Sequence, residues 1–242
     1  AMRYSHAPML DTTRIRAITF DLDDTLWPIW PIIERAEKTL SAWLAVHAPM
    51  TSALFANAHA RHDIRQQVMQ SRPDILHDLS AIRREAIRLA LTRAGDDPAL
   101  AEPAFDAFFA ERNHVTLFDD TLPALAWLTV RYPLVALSNG NADLEKVGLS
   151  TFFKGGISAA RFGVAKPHVS IFHAAAGLAG VQPHEVLHVG DDAHHDVIGA
   201  QAAGMQAVWL NRGEHLWAAA PHQPDETIEQ LTELCDLLAD QR

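Results

Sequence analysis

The chain is nearly free of cysteine. Cys235 stands alone among 242 residues, so no internal disulfide can form, and a reducing, cytoplasmic setting is expected. An excess of positive charge is also lacking. Lys and Arg number 20 against 30 Asp and Glu, a formal net charge of −10. That balance argues against a nucleic-acid partner and against an anionic membrane surface, although local positive charge can still hold an anionic small molecule. No apolar run approaches the roughly 18 residues of a membrane span, so no membrane association is expected. Residues 1–11 carry no apolar targeting core, and export is not expected. Internal repeats and low-complexity segments are missing too. What is present is ordinary for a globular enzyme: 48% hydrophobic and 21% charged residues, in a length that allows one or two domains. The composition does not indicate an oligomeric state.

Residues 16–21 (RAITFD) read as a short buried strand that ends in acids. From Pro31 to about Asn113 the pattern is helical only. Helices are expected over 31–46, 51–69, 78–94 and 98–113, separated by Pro49, Pro73 and the segment 95–98. Beyond Thr121 helices and strands alternate. The pattern predicts a helix over 122–131, a strand over 134–138 and a short helix from Asp143. It continues with a strand over 156–160, a helix over 167–178, a strand over 185–189, a helix over 192–203 and a strand over 206–210. An amphipathic helix over 224–240 closes the chain. Such alternation implies βαβ units on a parallel sheet, an α/β fold. The core is expected to comprise residues 14–26 and 116–242, with an all-helical domain inserted over 27–115. An insertion of that length after a strand's carboxyl end is usually functional.

The candidate chemistry sits at strand ends. In Asp21-Leu22-Asp23-Asp24-Thr25, side chains two apart on extended chain point the same way, so Asp21 and Asp23 can converge where open α/β sheets place ligands. Two carboxylates 4 Å apart repel by roughly 4 kcal/mol at an effective dielectric of 20, so such a site needs a cation, a shared proton or both. Ser138-Asn139-Gly140-Asn141 follows the next strand with a hydroxyl, an amide and a glycine turn able to bind an anion. Lys166-Pro167 leaves an ammonium just outside a helix start. Gly190-Asp191-Asp192 follows a further strand, with Asp196 beyond it. Asp192 suits a helix N-cap, whereas capping does not require both Asp191 and Asp196.

The series DLDDT, SNG, KP and GDD, with one further Asp, resembles the haloacid dehalogenase-like (HAD) hydrolase superfamily. The resemblance covers residues 16–26 and 134–210. It implies a Rossmann-like parallel sheet with a helical cap, and a Mg2+-dependent hydrolysis of a small-molecule phosphate monoester through an aspartyl-phosphate. It also implies roles. Asp21 would be the nucleophile and Asp23 the general acid and base. Ser138 and Asn139 would lie at the phosphoryl group, which Lys166 would neutralise. Asp191 would bind Mg2+ with the carboxylate of Asp21 and the backbone carbonyl of Asp23. Asp196 would hold Lys166 or a metal-bound water. These four aspartates and one lysine leave the site net negative until a divalent ion and a proton on Asp23 bring it to neutrality, which an incoming phosphate requires. Within the family, the stretches AITFDLDDTLW, PDILHD, PLVALSNGNA and VLHVGDDAHHDVIGAQAAGMQAVWL resemble a bacterial subgroup acting on flavin mononucleotide and on the phosphorylated pyrimidine intermediate of riboflavin synthesis.

Specificity would lie in the cap. Trp27 and Trp30 can wall a cavity for a flat heterocycle or staple the cap to the core. His62, Arg65, His77, Asp78 and Arg84 are polar residues able to reach inward or to form solvated helix faces. The fourteen histidines invite a zinc reading for His184, His188, His194 and His195. No HExxH or Cys-His spacing is present, so these are expected to be surface residues. Four other activities fit parts of the pattern. A dehalogenase relative would do without the metal and the acid at position 23. A phosphomutase would keep every motif. A receiver-like phosphoryl acceptor would be about half as long and have no cap. A non-catalytic binding protein would not need the full acid, hydroxyl and ammonium set.

Overall fold

The computed structural model describes residues 9–213 and 215–239. These form two compact units. One runs up to Pro28, then through Thr116–Gly140 and from Gly148 onward; the other comprises Ile29–Val115 and Asn141–Val147.

The first unit is built on six parallel strands in the order β3-β2-β1-β4-β5-β6. They are β1 (Ala17–Phe20), β2 (Leu134–Ser138), β3 (Gly155–Ser158), β4 (Val186–Gly190), β5 (Gln206–Leu210) and β6 (Glu226–Ile228). Every residue of β1, β2, β4 and β5 is buried, as expected of central parallel strands covered on both faces. The edge strands β3 and β6 are short and only partly buried, which limits unwanted pairing. Val135, Leu137, Ile171, Phe172, Val186 and Val197 are central to the apolar core, where burying a side chain of Val or Phe size stabilises by about 1.5–3 kcal/mol. Register decides where the site falls. Phe20 of β1 lies opposite Ala136 of β2 and Val189 of β4. One or two residues further on, Asp21, Ser138 and Asp191 therefore emerge together at the carboxyl edge. Strand order reverses at β1, the point at which such sheets bind ligands.

The second unit is helical, with α1 (Trp30–His47), α2 (Pro49–Phe55), α3 (Ala58–Ser71), α4 (Leu79–Ala94) and α5 (Ala101–Arg112). The buried residues Ile32, Ala36, Leu40 and Leu44 recur at helical spacing along α1 and meet Phe105 and Phe108 of α5. The helix expected over 51–69 is two helices. Asn57 accepts bonds from the backbone N–H groups of His59 and Ala60 and starts α3 anew.

Helices α6 (Thr121–Thr129), α7 (Ala159–Phe162), α8 (Val169–Ala179), α9 (Gly199–Ala202) and α10 (Leu231–Ala239) complete the first unit. No helix follows Asp143; one i to i+4 bond from Val147 forms a turn, and Gly148 then adopts φ 83°. The segment expected as helix over 224–240 contains β6 before α10. Its hydrophobic spacing was helical, yet pairing with β5 captures Glu226–Ile228. Asp240 lies outside the described residues. The helix expected from Asp192 begins instead as a π-helical turn, Ala193–Ile198, a geometry often found at functional sites. No helix among the described residues is long and apolar enough to cross a membrane.

Candidate active site

Asp21 emerges directly from β1 and is buried. Its Oδ1 accepts a hydrogen bond from Lys166 Nζ at 2.9 Å, and its Oδ2 accepts one from Thr25 Oγ1 at 3.0 Å. Thr25 sits one turn further on because Leu22 carbonyl accepts from the N–H groups of Thr25 and Leu26. Asp24, at φ 63°, takes the left-handed conformation that Asp tolerates better than most residues, and its N–H donates to Trp27 carbonyl at 2.7 Å. That tight turn brings the indole N–H of Trp27 to Asp23 Oδ1 at 2.9 Å. Trp27 is fully buried, so it walls no cavity; it holds Asp23. Trp30 is 70% exposed.

Ser138 closes β2, buried, with its Oγ accepting from the backbone N–H of Gly140 at 2.9 Å. Asn139 uses both ends of its carboxamide on Lys166: its Nδ2 donates to the lysine carbonyl at 3.0 Å, and its Oδ1 accepts from the lysine N–H at 2.8 Å. Its side chain therefore clamps the Lys166 backbone. The lysine is almost wholly buried and bridges two acids, with Nζ 2.9 Å from Asp21 Oδ1 and 2.7 Å from Asp196 Oδ1. The helix after it begins at Val169, capped by His168, so Pro167 precedes the helix and does not open it.

After β4 the side chain of Asp192 accepts from the N–H groups of His194 and His195, an N-cap as expected. The backbone N–H of Asp192 in turn donates to Asp196 Oδ2 at 3.1 Å. Gly190 is required here. A Cβ on it would lie 2.2 Å from Asp196 Cγ, closer than non-bonded atoms approach. Oxygens of Asp21, Asp191 and Asp196 lie within 4.8 Å of one another. Asp23 is not part of that cluster.

The electrostatics follow from three carboxylates and one ammonium in little water. Burial pushes Asp191 up to about 9, with the neighbouring charges of Asp21 and Asp196 adding to the effect. Burial also raises Asp21, against the opposing pull of Lys166. Burial disfavours the charged forms of Asp196 and Lys166 as well, but their mutual attraction more than offsets it, so the Asp196 carboxyl is lowered and the Lys166 ammonium raised. One carboxylate is thus neutralised by Lys166, and the remaining pair is short of one cation. An all-oxygen donor set of this charge fits a hard divalent ion such as Mg2+.

Sequence reasoning missed several supporting residues. His188 is not a surface histidine: it is fully buried in β4, with Nε2 2.8 Å from Asp196 Oδ1 and Nδ1 2.7 Å from Thr19 Oγ1. A polar residue within an otherwise apolar, doubly buried strand was the available signal, because such a group must be hydrogen-bonded. His184, His194 and His195 are exposed as expected. Arg212 makes two bonds to Asp120, at 3.0 and 2.9 Å, and donates to Thr25 carbonyl at 3.1 Å, bracing the turn after β1.

Within the helical unit a cavity of about 270 Å³ is lined by Glu37, Phe55, Arg61, His62, Arg65 and Arg83. Of the inward-reaching candidates, His62 and Arg65 line it, whereas Asp78 caps α4 and Arg84 lies over the Phe105 ring and pairs with Glu102.

A family model of haloacid dehalogenase-like hydrolases matches residues 15–204. The chain belongs to that family. It is a hydrolase of that family, with the family's α/β core and inserted helical domain. It is 36% identical over 201 residues to the 5-amino-6-(5-phospho-D-ribitylamino)uracil phosphatase YigB of Escherichia coli strain K12, covering 81% of this chain and 84% of that one. It is 28% identical to the glyceraldehyde 3-phosphate phosphatase of Methanopyrus kandleri, over 93% of this chain and 97% of the other. Among solved structures, a 2-haloacid dehalogenase from Pseudomonas syringae pv. Tomato DC3000 superposes with a TM-score of 0.88 at 36% identity, over 94% of this chain and 100% of that one.

Proposed function

We propose that this hydrolase cleaves small-molecule phosphate monoesters with Asp21 as nucleophile, and that a Mg2+ ion completes the site. The observation that carries the reading is Lys166 Nζ seated between Asp21 and Asp196 while Asp191 stays short of a counter-charge. Asp21 and Asp191, with the backbone carbonyl of Asp23, are the groups that would hold the ion. Bound there, it would withdraw charge from the phosphoryl oxygens and keep Asp21 ionised.

The chain's own residues supply the rest. Asp21 attacks phosphorus in line, the bond to the leaving oxygen breaks, and an aspartyl-phosphate forms. Asp23, oriented by the Trp27 N–H, gives its proton to the departing alkoxide. It then takes one from the water that hydrolyses the intermediate. Ser138 Oγ already accepts from Gly140 N–H, which leaves its own proton to donate to a phosphoryl oxygen. Lys166 neutralises that group, held in place by the Asn139 clamp.

The substrate we favour is a phosphorylated ribityl compound, either the ribitylamino-pyrimidine phosphate or flavin mononucleotide. Support comes from the Escherichia coli relative, with 36% identity extending over 81% of this chain. Initial rates with Mg2+ across a panel of phosphate esters test it. Preference for the ribityl phosphates is expected, and preference for simple sugar phosphates would sink that assignment. The Pseudomonas structure favours a second reading, halide displacement by the same Asp21. A halide leaves without a proton, so that chemistry gives Asp23 and the uncompensated Asp191 nothing to do. Chloride release from 2-chloropropionate in excess chelator would support dehalogenation over phosphate hydrolysis.

A further inference from the structure

Among the described residues His188 is the only buried histidine. Both of its ring nitrogens are engaged, and the bonds it joins form a circuit. From Thr19 on β1 the path runs through His188 on β4, then Asp196, then Lys166, and returns to Asp21, the residue after β1. Thr19 and Asp21 lie two residues apart, on the same side of the extended chain. All five side chains are buried. Asp196 is the junction, because its Oδ1 receives both Lys166 Nζ at 2.7 Å and His188 Nε2 at 2.8 Å, while its Oδ2 receives the Asp192 N–H.

We infer that His188 is a positioning residue: by donating Nε2–H to Asp196 Oδ1 it fixes that carboxylate, and so keeps the Lys166 ammonium seated on Asp21. The inference rests on Asp21 being the nucleophile. Asp196 accepts at Oδ1 from two donors on different elements, so its carboxylate cannot turn without breaking one of those bonds. Without His188, only Lys166 holds Oδ1, the Asp192 N–H on Oδ2 alone resists rotation of the carboxylate, and the ammonium is tied less firmly beside Asp21. The ring itself has little freedom. The Phe172 ring stands perpendicular to it, with the ring centroids 5.2 Å apart. Phe172 is backed by Gly199, where a Cβ would come within 2.7 Å of the phenyl ring. Supporting partners of this kind around an active centre typically cost about 10–100-fold in activity when removed.

The test compares His188→Leu, which fills the space but donates nothing, with His188→Gln, whose amide nitrogen can reach the Nε2 position. With a phosphate ester and Mg2+, His188→Leu should lower kcat by about 10–100-fold with KM little changed. His188→Gln should recover most of kcat, while thermal midpoints of the two variants stay close. Wild-type kcat in a folded His188→Leu, or equal loss of kcat in both variants, overturns the proposal. Nitrogen-15 NMR of the wild-type ring provides a readout independent of both folding of the variants and turnover. Nε2 should carry a hydrogen-bonded proton, and an unprotonated Nε2 refutes the arrangement. Failure of the wild type to turn over any phosphate ester would count against the nucleophile reading alone, because the ring's proton is measured without substrate.

Discussion

At the candidate site of the α/β unit the ion pairs are sealed from water: the side chains of Lys166 and Asp196 are each 2% exposed and that of Asp21 is 11% exposed. In the helical unit they lie open, Arg88 and Glu102 at 39% and 53%, Arg84 and the same glutamate at 38% and 53%. Buried pairs cannot exchange partners with water, so removing one member strands another charge; open pairs are replaced by solvent at little cost. The same residue types therefore serve a fixed reaction in one unit and an adjustable surface in the other.

The largest effect that would break this contrast is on turnover. Asp21→Asn should lower kcat at least about 10⁴-fold with the circular dichroism spectrum preserved, as loss of a nucleophile does elsewhere. Residual turnover near wild type would remove Asp21 from the chemistry. Next, Lys166→Met should cost about 3–5 kcal/mol of unfolding free energy in urea, because it leaves Asp21 and Asp196 buried without their cation. Gly190→Ala should cost about 1–3 kcal/mol, since the added methyl meets Asp196 at a distance no rotamer relieves.

A pH dependence sharpens the comparison further. Asp191 holds its proton up to about 9 in the folded, metal-free protein against 3.8 when unfolded. Between those values the folded state binds a proton that the unfolded state has lost. Its contribution to stability is therefore full below about pH 4 and declines as pH rises towards 9. Thermal scans of metal-free protein should show that decline, and Asp191→Asn should flatten it and abolish the rise in midpoint on adding Mg2+. Asp196 acts in the opposite sense: lowered in the folded state, it contributes stability at neutral pH that is lost in acid. The smallest effect belongs to the helical unit. Arg88→Ala should cost only about 0.2–1 kcal/mol, with kcat on p-nitrophenyl phosphate unchanged.

Much of this arrangement was legible in the residues themselves. The buried strand read over residues 16–21 put Asp21 at its carboxyl end, and successive strands ending in Ser138 and Gly190-Asp191 pointed to one shared ledge. Long-range partners were less visible. Asn139 read as an anion ligand because an Asn-Gly turn offers donors, but Lys166 claims its amide from 27 residues away. His188 read as surface because the histidines near it lack a zinc-ligand spacing, whereas its strand is buried on both faces. Trp27 read as either a cavity wall or a staple, and the left-handed turn at Asp24 instead folds its indole N–H onto Asp23. The strand at Glu226–Ile228 depends on tertiary pairing that local periodicity does not encode. Residues 141–147 pack with the helical unit, which no local pattern announced.

The most direct measurement is acid-quenched capture of the enzyme during turnover of a phosphate ester with Mg2+, followed by peptide mass mapping. The account predicts a phosphoryl adduct on the peptide carrying Asp21, absent from Asp21→Asn and absent when the metal is chelated. Turnover with no adduct on that peptide, or an adduct that survives the Asp21→Asn substitution, would contradict it.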